Sequence, residues 1–335
     1  RILGLPRSRI SVRVPKRLDE DLAELLGLVI SDGIVTDKTV RFFSNSEELR
    51  ARFKELVYRV FGVMARDESF RTVKGVVVNS KLVARIFRAL GVPSSRKSRE
   101  TTVPHLILRS PINVVKAFLR GYYLGDGGFA KNEVEITTAS KWVAVGLAYL
   151  LARLGILYTI REKRVADRVY YRIIITSRDE IEKFLEAISA ERIMGLGKIL
   201  RIASYISSKR QGRKARDAVR IEPQVISRAI LAVSRKILEQ ARINIKNYTI
   251  LGERIGAAKL MLLAQLTEDS VLGSIAEVLN YVAFDEVESI EVIKGDFNVY
   301  DITVPRTHNF VGGEVPAILH NTVTLHSLAM WSDAR

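Results

Sequence analysis

Two stretches of this sequence place an aspartate where ordinary helix logic disfavours one. The first reads Leu25-Leu26-Gly27-Leu28-Val29-Ile30-Ser31-Asp32-Gly33, the second Leu119-Arg120-Gly121-Tyr122-Tyr123-Leu124-Gly125-Asp126-Gly127. Each sets one glycine five residues before the aspartate and another directly after it. A glycine inside a helix costs about 1 kcal/mol relative to alanine. Close approach of two helix backbones explains the pair: Gly27 and Gly121 remove the Cβ atoms that would hold the helices apart. Gly33 and Gly127 are expected to supply the left-handed position that stops each helix. A carboxylate at the negative end of a helix dipole needs a cation beside it. Two such ends side by side would gather Asp32 and Asp126, with oxygens of Ser31 and Gly125, into a hard-oxygen site suited to Mg²⁺.

A second group of reactive residues lies near the other end of the chain. Of four histidines, His105, His308, His320 and His326, two fall in the segment Val299-Tyr300-Asp301 … His308-Asn309-Phe310 … His320-Asn321-Thr322. An asparagine side-chain amide can attack its own backbone carbonyl, closing a succinimide and breaking the chain. A neighbouring histidine can move the proton near neutral pH, and a hydroxyl residue next to the asparagine can act as a nucleophile.

The elements that must carry these residues form a repeat. Each glycine-and-acid helix is followed by a β-rich run, Thr39–Ser44 or Glu133–Thr138, then by a serine helix start at Ser46 or Ser140. An amphipathic helix ending at Gly62 or Gly155 follows, then a strand pair and a closing helix. Asp32 and Asp126, Val40 and Val134, and Ser46 and Ser140 are all 94 residues apart. The expected fold is α+β with two pseudo-symmetric αββαββα halves over about residues 16–200, divided near residue 100. A basic run from Lys198 to Arg220, with Arg210, Arg213 and Lys214, reads as a linker or as an arm that touches phosphates. Residues 222–280 read as helices over 224–241, 256–266 and 270–281, and the chain from Glu286 reads as strands.

Composition narrows the function further. The 335 residues carry 53 Lys and Arg against 37 Asp and Glu, a net charge of +16, which points to nucleic acid. There is no cysteine, so disulfides, thiolate catalysis and paired-cysteine zinc sites are excluded, as suits a cytoplasmic protein. No apolar run spans a bilayer. The chain opens on Arg1 rather than Met, as expected of a piece of a longer protein.

The two glycine-and-acid helices resemble the paired motifs of a single-chain LAGLIDADG homing endonuclease. The resemblance implies that Asp32 and Asp126 bind divalent metal and that two active sites cut opposite strands of double-stranded DNA. It also implies a curved sheet in the major groove, with Arg41, Lys74, Arg161, Lys163, Arg168, Tyr170 and Arg172 as DNA contacts. The family places a lysine near each site. In the second half Lys198 matches, whereas in the first the position three residues before Pro104 holds Thr101.

The C-terminal segment resembles the final splicing blocks of an intein, whose Hint fold would supply a β-rich piece over residues 281–321. That resemblance implies that His320 assists cyclisation of Asn321, that Thr322 is the acceptor nucleophile, and that Asp301 and His308 assist. Residues 322–335 resemble a stretch of the catalytic subunit of archaeal and vacuolar-type rotary ATPases, so they are expected to be a host tail without ATPase activity. Residues 1–15 are expected to lead in from an absent N-terminal splicing half, the partner needed for splicing, in a chain expected to be monomeric. The expected activity is Mg²⁺-dependent double-strand cutting of the uninterrupted host gene. The alternatives are a decayed nuclease or nickase, for which Thr101 speaks, and a non-catalytic DNA-binding regulator.

Overall fold

A computed structural model of the chain describes residues 2–4, 11–70, 73–94, 97–190, 193, 196–208, 218–279, 281–284, 289–296, 298, 300 and 302–320. The chain divides into two compact units, one of residues 1–176, 180–208 and 294–335, the other of 177–179 and 209–293. In the first unit a short antiparallel pair, β1 (Ile2–Gly4) and β2 (Ser11–Arg13), precedes the repeat. The first half runs α1 (Glu20–Asp32), β3 (Gly33–Val35), β4 (Thr39–Phe43), α2 (Glu47–Phe61), β5 (Arg66–Phe70), β6 (Val73–Asn79) and α3 (Lys81–Ala89). Two single-turn helices, α4 (Lys97–Glu100) and α5 (His105–Leu108), lead to the second half. That half runs α6 (Ile112–Asp126), β7 (Gly127–Ala130), β8 (Glu133–Thr138), α7 (Lys141–Arg153), β9 (Thr159–Val165), β10 (Arg168–Ile175) and α8 (Arg178–Ile188), and α9 (Gly197–Ser208) follows. Both sheets are antiparallel with the same strand order, β3-β4-β6-β5 and β7-β8-β10-β9, as the repeat requires.

Local chemistry sets the helix limits. The hydroxyls of Ser46, Ser80 and Ser140 accept from the backbone N–H three residues on, capping α2, α3 and α7. Gly62 and Gly155 stand left-handed, φ 68° and 64°, just past α2 and α7. Alternation then sorts the sheet faces: Val40, Phe42, Val134 and Ile136 are fully buried against the helices, and the residues between them face outward.

Gly33 and Gly127 correct one expectation. They are extended, φ −103° and −82°, not left-handed. Space rather than torsion demands glycine here. A Cβ on Gly33 would meet the Val29 carbonyl oxygen at 2.7 Å, and one on Gly127 would meet the Tyr123 ring at 2.0 Å. Each helix therefore passes straight into a strand.

The second unit opens on β11 (Ala218–Val219). The helix expected over 224–241 is broken into α10 (Pro223–Ala229), a 3₁₀ turn (Ile230–Ala232) and α11 (Arg235–Gln240). Val233, extended at φ −110°, makes the break, with Ser234 opening the next helix. The unit continues with α12 (Ile245–Thr249), β12 (Ile255–Gly256) paired to β11, α13 (Ala257–Thr267) and α14 (Ser270–Val278), around a core that includes Ile226, Leu260, Leu263 and Leu272.

Beyond Glu286 the expected strands are absent from the described residues 289–296 and 302–304. The alternation is present, but extended chain becomes a strand only when a neighbour accepts its hydrogen bonds, and the described residues offer it none. Strands appear instead in the hairpin β13 (Asn309–Gly312) and β14 (Ala317–His320). The hairpin belongs to the first unit: the Tyr149 hydroxyl donates to the Gly313 carbonyl (2.8 Å), and Lys141 pairs with Glu314 at 2.6 Å. No helix among the described residues is long and apolar enough to cross a membrane.

Candidate metal and nucleic-acid site

Backbone packing of α1 on α6 builds the site. A Cβ on Gly27 would lie 2.4 Å from the Phe118 carbonyl oxygen, and one on Gly121 would lie 2.0 Å from that of Glu24. Both glycines are therefore held at backbone contact, as the sequence predicts. A buried charge cluster ties the same crossing. Glu24, 1% exposed, accepts from Arg52 Nε and Nη2 at 2.8 and 2.9 Å and from Arg120 Nε at 2.8 Å. Sequence reasoning missed this triad. Its signal is a lone glutamate amid the apolar residues of α1, which only a cation can accompany into a core.

The crossing brings the C-terminal ends of α1 and α6 together. Asp32 and Asp126 line one cavity of about 380 Å³ with Thr101, Tyr122, Thr137 and Tyr170 among its other walls. Gly125 is the cradle: a Cβ there would stand 2.0 Å from Ser31 Oγ and 2.8 Å from Asp32 Oδ2. The Ser31 hydroxyl donates to the Leu28 carbonyl (3.0 Å). Tyr122, not foreseen, donates to Asp126 Oδ2 at 3.2 Å. Burial first, and the Asp126 charge next, hold its hydroxyl protonated well above the ordinary range.

Lys198, at the start of α9, donates to the carbonyls of Leu124 (2.8 Å) and Gly125 (2.6 Å). It places a cation on the negative end of α6, which has no basic residue in its last turn. Burial pushes its ammonium down from the usual lysine range, while Asp32 and then Asp126 pull it back up. The separation of 97 residues between Ser80 and Ser177, which open α3 and α8, also divides Thr101 from Lys198. Thr101 is thus the repeat partner of Lys198. It lines the cavity and is buried, its carbonyl accepting from Ser140 Oγ at 2.6 Å. The described residues lining that cavity include neither lysine nor arginine.

The donor set fits a small hard cation. Mg²⁺ takes one or two carboxylates and completes its shell with water and phosphate oxygens, and two carboxylates beside a glycine-cleared cradle supply that. The described residues hold no cluster of three or more His, Cys, Asp or Glu side chains that could cage a metal alone.

The outer sheet faces run out from this cavity. In β9–β10, Arg161 lies opposite Arg172, Lys163 opposite Tyr170 and Val165 opposite Arg168, so the five expected DNA contacts share one face. Tyr170 carries that face to the cavity wall. Arg172 is bidentate on Glu135, and Arg41 pairs with Glu68 at 3.0 Å. In the first sheet Arg41 and Arg66 both lie opposite Val77 and share a face. Lys74 does not join them. It is exposed, but it falls on the side of β6 that carries the buried Val76 and Val78, because successive strand residues point oppositely. Arg66 is the residue the sequence reading overlooked.

At the other candidate site His308, left-handed at φ 53°, and His320 bring their ring centroids to 6.2 Å at the open end of the β13–β14 hairpin. Asp301, Asn321 and Thr322, like Arg210, Arg213 and Lys214, lie outside the described residues.

The comparisons with known proteins meet this geometry in the second half of the repeat. Residues 113–189 match the LAGLIDADG-like domain. Over 97% of its length the chain is 38% identical to part of a subunit of the A-type ATP synthase of Pyrococcus abyssi. Over 93% it is 26% identical to part of the replication factor C small subunit of Methanocaldococcus jannaschii. It spans only 30% and 24% of those relatives' own lengths. Among solved structures, variants of the homing endonuclease I-DmoI superpose with a TM-score of 0.43 at 19% identity, covering 52% of this chain and 98% of theirs.

Proposed function

We propose that this chain is a site-specific DNA endonuclease of the intein-borne LAGLIDADG kind, dependent on Mg²⁺, with a C-terminal segment that cleaves or splices the polypeptide at Asn321. The observation that carries the nuclease reading is the glycine-packed α1–α6 crossing, which sets Asp32 and Asp126 around one cavity beside the Lys198 ammonium. Bound metal would polarise the scissile phosphate and activate water. Asp32 and Asp126 would hold it, with Ser31 beside them, while the Gly125 carbonyl, expected as a further ligand, accepts from Lys198 instead. Lys198, held at the end of α6 by the Leu124 and Gly125 carbonyls, would offset negative charge gathering on the phosphate. The cationic outer faces that border the cavity would position the duplex.

The relatives support the intein reading. Nearly the whole chain matches inside one protein of an ATP synthase and again inside a replication factor, as a minor part of each. A segment that recurs in proteins of unrelated name behaves as an insertion, with a function of its own. At its end, the Asn321 amide nitrogen would attack the Asn321 carbonyl carbon and close a succinimide. The bond to Thr322 breaks, and the departing Thr322 amine takes its proton with the help of His320.

A second reading, a nickase or a decayed nuclease that only binds DNA, is favoured by one observation: Thr101 stands where the repeat calls for the mate of Lys198. A supercoiled plasmid carrying the uninterrupted host gene separates the two. Linear product in Mg²⁺ supports the endonuclease, accumulated open circle the nickase, and specific binding without cutting the decayed form. For the polypeptide chemistry, Asn321→Ala should abolish release of residues 322–335 as read by mass spectrometry. Release that continues unchanged overturns that part of the proposal.

A further inference from the structure

One hydroxyl at the cavity has no counterpart at the matching position of the other half. We infer that Tyr122 is a positioning residue for the metal: its hydroxyl fixes the Asp126 carboxylate in the orientation that a cation needs, and the repeat gives Asp32 no equivalent. The inference rests on the reading that Asp32 and Asp126 hold Mg²⁺.

Geometry supplies the first argument. Tyr122 stands four residues before Asp126 on α6, so the two side chains share one face of the helix. The tilt of helical side chains toward the N-terminus leans Asp126 back toward the ring, and the hydroxyl donates to its Oδ2 at 3.2 Å. The tyrosine has little freedom to do otherwise. It is 1% exposed, and its ring is tilted on Phe118 with centroids 6.3 Å apart. Its backbone nitrogen would lie 2.6 Å from a Cβ on Gly27. The α1–α6 crossing thus fixes both backbone and ring, and the ring's one polar atom comes to Asp126 already placed. Partners of this kind set the orientation of a metal ligand before the metal arrives.

Chemistry and the repeat supply the second. An ammonium or guanidinium on Asp126 would compete with a bound cation for the carboxylate's charge. A neutral phenol restrains the carboxylate and leaves that charge for the metal. The described cavity lining accordingly includes neither lysine nor arginine, and the Lys198 ammonium donates to the Leu124 and Gly125 carbonyls. The 94-residue spacing that pairs Asp126 with Asp32 pairs Tyr122 with Leu28. Leu28 is equally buried, and its side chain has no polar atom with which to orient Asp32. A buried hydroxyl costs stability unless it finds a partner. Neighbouring Tyr123 shows the contrast, because its buried hydroxyl has no hydrogen-bond partner among the described residues. The Tyr122 hydroxyl is instead spent on a carboxylate of the site.

The test titrates Mn²⁺ into the full chain, alone and with a duplex spanning the uninterrupted host junction, and reads the free ion by electron paramagnetic resonance. Tyr122→Phe keeps the ring and should weaken Mn²⁺ binding about 10-fold, with the metal-free fold intact by circular dichroism. Tyr123→Phe removes the hydroxyl that has no partner and should bind Mn²⁺ as the parent does. Asp126→Asn should lower Mn²⁺ binding and so locate the ion at the paired helix ends. Adding Tyr122→Phe to it should cost nothing further, because a hydroxyl that acts through the carboxylate then has nothing left to orient. In plasmid cutting, Tyr122→Phe should need about 10-fold more Mg²⁺ to reach half its maximal rate, with that maximum close to the parent's. Mn²⁺ affinity equal to the parent's, or the same loss in the Asp126→Asn background, overturns the inference and leaves the metal reading of Asp32 and Asp126 intact. A parent that binds no Mn²⁺ in either titration overturns both.

Discussion

The two flanks of the paired aspartates are built from the same repeat and furnished differently. On one, Lys198 lays its ammonium on the Leu124 and Gly125 carbonyls. On the other, Thr101 holds the matching position with a neutral, buried side chain beside Tyr122 and Ser140. The halves share their order of elements, their strand order, the Ser46 and Ser140 caps and the Gly62 and Gly155 stops, and among the positions where they differ is the segment after the closing helix, which presents Thr101 in one and Lys198 in the other. Scaffold symmetry therefore does not guarantee functional symmetry. A fold can keep its pseudo-twofold core because packing penalises every departure from it, while a residue at the cavity wall drifts at little cost in stability.

The largest expected effect tests what the two flanks share. Asp32→Asn or Asp126→Asn should each lower double-strand cutting by about 10³-fold or more, since each removes a hard anionic donor from the metal. A cutting rate within 10-fold of the parent for either variant would show that the paired ends are not the reactive centre.

The next pair of substitutions probes the difference itself. Lys198→Met should slow cleavage of one strand by about 10²-fold and leave the other nearly unchanged. Thr101→Lys should speed the slower strand by about 10-fold, with open-circle product disappearing from the time course. Strand-specific end labels read both. Equal slowing of the two strands in Lys198→Met would mean that the ammonium braces the common helix end and serves neither flank in particular.

A third substitution should strike both flanks alike through the scaffold. Glu24→Ala leaves Arg52 and Arg120 buried without their carboxylate and should cost about 3 kcal/mol of stability, seen as a lower midpoint in denaturant. Cutting of the two strands should fall in parallel. Unequal loss would show that the triad sets one flank only.

The smallest effect concerns the sheet that flanks the cavity. The Arg172 hydrogen bond, with Thr137 helping, holds Glu135 below its ordinary value of 4.5. A depressed folded value means that the pair stabilises the fold above that ordinary value, and that this contribution is lost as pH falls through the folded value. Glu135→Gln should therefore be less stable than the parent at neutral pH, by under about 1 kcal/mol because the pair is partly exposed. The two proteins should converge below pH 4.5 in urea titrations. A gap that persists in acid would assign the difference to packing.

The sequence by itself determined the repeat, because a constant spacing through helix, strand and helix start survives without any knowledge of contacts. It also determined Gly27 and Gly121, since interior helix glycines are costly wherever they fall, and the pairing of Asp32 with Asp126. It placed the cations of β9 and β10 on one face, because strand alternation is a local rule. Tertiary structure decided the rest, for reasons that are not local. Only packing shows that Gly33 and Gly127 clear space for Val29, Arg41 and Tyr123 rather than adopting a left-handed turn. Only the approach of α1, α2 and α6 joins Glu24 to Arg52 and Arg120, residues 28 and 96 positions away. The stretch at 289–296 forms no strand because no neighbour among the described residues satisfies its backbone, and no window of sequence contains that information. The cavity wall is the plainest case: Thr101, Tyr122 and Tyr170 become one surface with Asp32 and Asp126 only when two helix ends and two sheets converge on it.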